Sequence, residues 1–129
     1  MNTKVFYDLW QMECCGKPFK IGDTITWLVI KNDNRIEGIN YYYEAHSDDC
    51  KNLYVLDGIV EKIFVSYEEY KLETGSHHNI LIPIPGTNEL VEVNNSDSYE
   101  EYKDKKRANG YLIELKELNI RTYNGDYYG

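Results

Sequence analysis

No stretch of this 129-residue chain stays apolar for more than a few consecutive positions, which excludes a membrane-spanning helix. Its opening, Met1-Asn-Thr-Lys-Val-Phe, carries no apolar segment of the export-signal type, so a cytoplasmic location is expected. Cysteine is scarce and odd in number, three in all, which points to reduced thiols and away from a disulfide framework. Cations are also few. Fourteen Lys and Arg face 22 Asp and Glu, for a net charge of −8, and both halves of the chain are acidic. Such a field repels nucleic acid and anionic membrane surfaces and favours a basic partner. Internal repeats and low-complexity tracts are absent, and no block of charge sets one half apart. A single β domain over residues 1–123 is the expectation, with 124–129 as a loose tail.

What the chain does have is tyrosine: 13 Tyr against 3 Phe and 2 Trp. A core built from such rings leaves polar tips at its rim, where they serve packing and recognition alike. The pattern along the chain is that of short strands. Thr3 to Trp10 is rich in β-branched and aromatic residues; Gly16 and Pro18 then punctuate a loop. Thr24 to Lys31 alternates, with Ile25, Trp27 and Val29 sharing one face. Tyr54 to Tyr67 is the strongest strand, and Gly58 in its middle predicts a bulge or a sharp bend. Pro83 and Pro85 confine the strand after Asn79 to an edge, and Glu89 to Val93 is expected to pair with it across a turn. Asp97 with Glu100 reads as a capping box opening one short helix near residues 98–108, stopped at Asn109-Gly110. Tyr111 to Tyr123 returns to strand, with Ile113 and Leu115 on one face.

Five to six short strands with one short helix predict a mainly β protein, a small SH3-like or OB-like barrel. The Gly22-Asp23-Thr-Ile-Thr-Trp27 opening, followed later by Gly58-Ile-Val-Glu-Lys-Ile63, resembles the start of SH3-like barrels; periodicity alone leaves the OB alternative open.

The densest block is Trp10-Gln-Met-Glu-Cys14-Cys15-Gly-Lys-Pro-Phe19-Lys-Ile-Gly-Asp23, with Trp27 closing the next strand. It resembles the N-terminal signature, W-Q-M-x-C-C-G-x-P-F-x-x-G-D, of a family of small uncharacterised bacterial proteins catalogued as a domain of unknown function. Glu44-Ala-His46, Gly58-Ile-Val60 and Gly110-Tyr-Leu-Ile-Glu-Leu115 are similar to weaker markers of that family. The resemblance implies a bacterial, cytoplasmic, single-domain protein. It assigns no catalytic residue.

Three sets of residues are candidates for chemistry or binding. Cys14, Cys15, His46 and Cys50 are zinc-ligand types, and His46 and Cys50 would share a face at helical spacing. Against this, adjacent cysteines are a poor chelating pair, since successive side chains on an extended chain point apart. A nucleophilic Cys is equally ill served, because Asp8 and Glu13 nearby would raise its pKa. His77-His78 and the neighbouring carboxylate pairs Asp48-Asp49 and Glu68-Glu69 read most simply as solvated surface.

The aromatic set Trp10, Phe19, Trp27, Tyr41, Tyr42 and Tyr43 is either a mini-core or a binding surface. Lys103 to Arg107 is the one basic cluster, and its cations are expected to pair with Glu100, Glu101 and Asp104. No cofactor is expected. The reading that fits charge, size and tyrosine content is a monomeric, non-enzymatic acidic module that binds a protein partner, for example an inhibitor or immunity-type protein facing a basic enzyme. A zinc- or thiol-dependent enzyme using Cys14, Cys15, His46 and Cys50 is the alternative. A nucleic-acid-binding barrel is a weaker one.

Overall fold

The computed structural model describes residues 2–15, 17–31, 38–44, 53–72, 80–97 and 99–123, leaving aside the side chains of Cys14 and Cys15. The frame is a pair of long antiparallel strands, β4 (Leu53–Glu68) and β9 (Lys106–Thr122), in register from Tyr54↔Thr122 to Glu68↔Arg107. On its other side the first half of β4 pairs with β2 (Thr24–Lys31). β2 pairs with β3 (Tyr41–Tyr43), β3 runs parallel to β1 (Asn2–Asp8), and β1 returns antiparallel to β9. The circuit β4–β2–β3–β1–β9 therefore closes into a five-strand barrel, and the fold class is the one expected.

The pairing order separates the two barrels that periodicity left open. One parallel pair, one long strand shared between both halves, and a helix between β1 and β2 together form the OB arrangement. The chain joins that arrangement at its third strand: β1, β2, β3, β4 and β9 occupy the third, fourth, fifth, first and second places.

Alternation fills the interior. Thr3, Val5 and Tyr7 of β1, Ile25, Trp27 and Val29 of β2, and Tyr111, Ile113 and Leu115 of β9 all point inward and are buried. Closure requires glycine at two places. At Gly58 the β4–β9 register shifts, and a Cβ would stand 3.0 Å from the carbonyl oxygen of Lys116. This is the bend that the sequence predicts. At Gly110 a Cβ would meet the Tyr7 carbonyl oxygen at 2.6 Å and the Phe6 ring at 2.8 Å, so this glycine admits a close strand approach.

That second glycine belongs to a correction. The expected helix near 98–108 does not form. β8 (Tyr102–Lys103) turns through Asp104, at φ 56°, and Lys105 into β9. The capping-box residues Asp97 and Glu100 lie ahead of this hairpin, and Asn109-Gly110 is strand interior. Local helix signals lose to burial of Ala108 and Tyr111 against the barrel. The only helix among the described residues is α1 (Leu9–Cys15), which takes over where the first strand was expected to continue to Trp10.

The rest of the chain decorates the frame. β7 (Glu89–Val93) extends the sheet on β4, and does not pair with the strand before it. β5 (Tyr70–Leu72) and β6 (Leu81–Pro83) form a separate two-stranded ribbon, consistent with edge placement of Pro83. No described helix is long and apolar enough to cross a membrane. The expected tail, 124–129, lies outside the described residues.

Candidate functional site

The aromatic residues singled out by the sequence divide into three groups. Phe19 and Trp27 are core, with 4% and 9% of their surface exposed. Their rings meet edge to face at 5.2 Å, and both contact Tyr7, at 5.8 and 5.5 Å. Tyr43 stacks on Tyr7 at 3.8 Å and closes the cluster, while Tyr41 packs against the same core. Burying rings of this size stabilises the fold by roughly 1.5–3 kcal/mol each.

Backbone and hydroxyl bonds lock this end of the barrel. The Phe19 N–H donates to Ser96 Oγ (2.9 Å), the Ser96 N–H donates to the Phe19 carbonyl (2.9 Å), and the Tyr111 hydroxyl donates to the Ser96 carbonyl (2.6 Å). Burial pushes the Tyr111 phenol well above its ordinary pKa, so it stays a donor. This half of the candidate set packs in or against the barrel interior.

Trp10 is the other outcome. β1 and β2 do not pair with each other; β3 lies between them, so Trp10 is not carried onto Trp27. It rides instead on α1. Asp8 stands just before the first helical residue and Gln11 three positions on, the spacing of a capping box. Gln11 is buried and its Nε2 donates to the Tyr43 carbonyl at 3.0 Å, which pins α1 across the barrel. With Gln11 turned inward, Trp10 turns outward and is 55% exposed.

Trp10 shares a surface hollow of about 360 Å³ with Tyr70 and Leu81 of the β5–β6 ribbon. The register Tyr70↔Pro83 and Leu72↔Leu81 puts these four side chains on one face of the ribbon. Leu72 and Leu81 are both exposed. Glu13 and Glu101 line the same hollow, with Arg107 beside them. The sequence flagged Trp10 but not Tyr70, Leu81 or Glu101, which a non-local packing brings to it. The Asp8–Gln11 spacing was the one local signal that Trp10 sits on a helix.

Tyr42 alternates away from Tyr41 and Tyr43 and lies on the outer wall beside Phe6, with ring centres 6.2 Å apart at 87°. Burial first, then the Asp8 charge, raises its phenol pKa.

The basic cluster is paired differently from expectation. Lys103 and Lys106 both bind the Glu89 carboxylate, the latter at 2.9 Å, and these hydrogen bonds hold Glu89 at a pKa of about 2. Two cations of the basic cluster thus tie β8 and β9 to β7.

Cys14 and Cys15 end α1. Their side chains, and the whole of His46, Cys50, His77 and His78, lie outside the described residues. Among the described residues no three His, Cys, Asp or Glu side chains form a group able to hold a metal ion.

Comparison with known proteins completes this picture. The chain belongs to a family of unknown function (DUF6578), matched over residues 1–117. No curated protein and no solved structure matches it.

Proposed function

For a chain whose family carries no assigned activity, we propose a non-enzymatic binding module that docks a basic protein partner on the Trp10 surface. The observation that carries this reading is the exposed indole of Trp10, set between the apolar ribbon face and the carboxylates of Glu13 and Glu101. An exposed Trp in a shallow apolar hollow with a charged rim is the composition of an interface hot spot. The net charge of −8 adds attraction for a basic surface and speeds encounter with it. An inhibitor or immunity-type role toward a basic enzyme, exercised by a cytoplasmic monomer, is the concrete form of the proposal.

The test places a photo-crosslinking residue at Leu72, exposed on the same ribbon face, in a lysate of cells that make the protein, with Trp10 intact or replaced by Ala. The proposal expects one basic protein to crosslink at low salt, to fade at high salt, and to be lost in Trp10→Ala. A crosslink that persists in Trp10→Ala, or that ignores salt, contradicts it.

A further inference from the structure

A second cavity, of about 520 Å³, lies on the outer wall formed by β1, β3, β9 and the end of β4, with Leu90 of β7 at its margin, a size that suits a small ligand. Its floor is apolar. Phe6 and Tyr42 are register partners on the parallel strands, and Leu112 is the partner of Phe6 on β9. Gly110 allows the Phe6 ring to rest on the β9 backbone, because any Cβ there would strike it.

Polar groups converge at one side. The Asn109 Nδ2 donates to Glu68 Oε1 at 2.5 Å, and both residues line the cavity. The register slips between Ser66↔Gly110 and Tyr67↔Ala108, so Asn109 is the extra residue of a β-bulge, the device that re-aims a side chain. Its Oδ1 is buried and has no hydrogen-bond partner among the described residues. Leaving an acceptor in that state costs about 1–3 kcal/mol, which a ligand donor would recover once the Asn109 amide turned toward the cavity.

These features select a ligand chemistry. Acceptors on the wall call for a ligand rich in O–H or N–H donors. The half-buried rings call for flat apolar faces. Among the described residues Lys4 is the only cation lining the cavity and Glu68 is an anion in the same lining, on a chain of charge −8, so phosphate-bearing polymers are disfavoured. A purely apolar ligand would leave Asn109 unpaired. We propose that this cavity binds a neutral saccharide, seated on Phe6 and Tyr42 with hydroxyls donating to Glu68 and Asn109.

The barrel topology supports the location by analogy. The wall is built from the strands in the first, second, third and fifth places of the OB arrangement. The face of the second and third strands is where OB barrels take oligosaccharides and oligonucleotides.

The experiment is a titration of the full chain, followed by amide NMR, with maltotriose, cellotriose, xylotriose and chitotriose, and separately with a short oligothymidine. The proposal expects at least one sugar to give saturable shifts at Phe6, Tyr42 and Asn109 with an affinity tighter than about 1 mM. Tyr42→Ala and Leu112→Trp, the second filling the cavity from an outward position, are each expected to weaken that binding at least about tenfold. Leu118→Ala, at an exposed position outside the lining, is expected to leave it unchanged. Circular dichroism checks that each variant is folded. No saturable shift with any of the four sugars up to about 10 mM overturns the proposal, as do shifts centred elsewhere. Oligothymidine binding in the cavity without any sugar binding overturns it in favour of a nucleic-acid ligand.

Discussion

Trp10 and Trp27 come from one short block of sequence, yet one is 55% exposed on a helix and the other 9% exposed in the barrel. Trp27 owes its place to strand alternation: Ile25, Trp27 and Val29 fall on one face, and that face is closed by Phe19 and Tyr7. Trp10 owes its place to a helix pinned by Gln11, which turns the neighbouring indole outward. The same residue type therefore serves cohesion in one region and contact in the other. What decides is the element beneath it.

The sharpest way to break this comparison is to truncate both rings. Trp27→Ala is expected to lose about 3–5 kcal/mol of unfolding free energy, through lost burial and a residual cavity. Trp10→Ala is expected to stay within about 0.5 kcal/mol of the parent chain. Chemical denaturation of the two variants side by side measures both, and equal losses would dissolve the distinction.

Two further substitutions sharpen the structural side. Gly110→Ala forces a Cβ to within 2.6 Å of the Tyr7 carbonyl oxygen, a backbone atom with little room to retreat. A loss of about 1–3 kcal/mol is expected, seen in the denaturation midpoint. Tyr111→Phe removes the hydroxyl that donates to the Ser96 carbonyl while keeping the ring. Its expected cost is smaller, about 1 kcal/mol, and thermal melting of the variant reads it.

The smallest effect lies at the β7–β8–β9 junction. Glu89 falls from an ordinary pKa of 4.5 to about 2 because Lys103 and Lys106 donate to it. A depressed carboxyl pKa means that the folded state favours the ionised form. The contribution is thus complete above pH 4.5 and is lost as the pH falls toward 2. Titration of the Glu89 side chain by NMR checks the value. In Glu89→Gln the part of the acid destabilisation due to this group is expected to vanish.

Much of the barrel could be read from residues alone. The inward face of Ile25, Trp27 and Val29 and the bend at Gly58 follow from the residues themselves, since a strand facing a core and a crowded barrel corner each demand a local pattern. The segment after Asp97 misled because a capping box is also a local pattern, and there the burial of Ala108 and Tyr111 from a hairpin outweighs it. α1 escaped notice because seven residues are too few to show a helical period. Which aromatic faces outward was not legible at all. It depends on β3 entering between β1 and β2 and on the ribbon meeting α1, and both are contacts between residues far apart in the chain.

The two tryptophans are also the most direct probe of the account, since the chain holds no others. Fluorotryptophan labelling gives each indole its own fluorine resonance, and the crosslinked basic partner is the ligand to add. The account predicts that the Trp10 resonance moves on partner binding while that of Trp27 stays. Movement of Trp27 with Trp10 unmoved would contradict it.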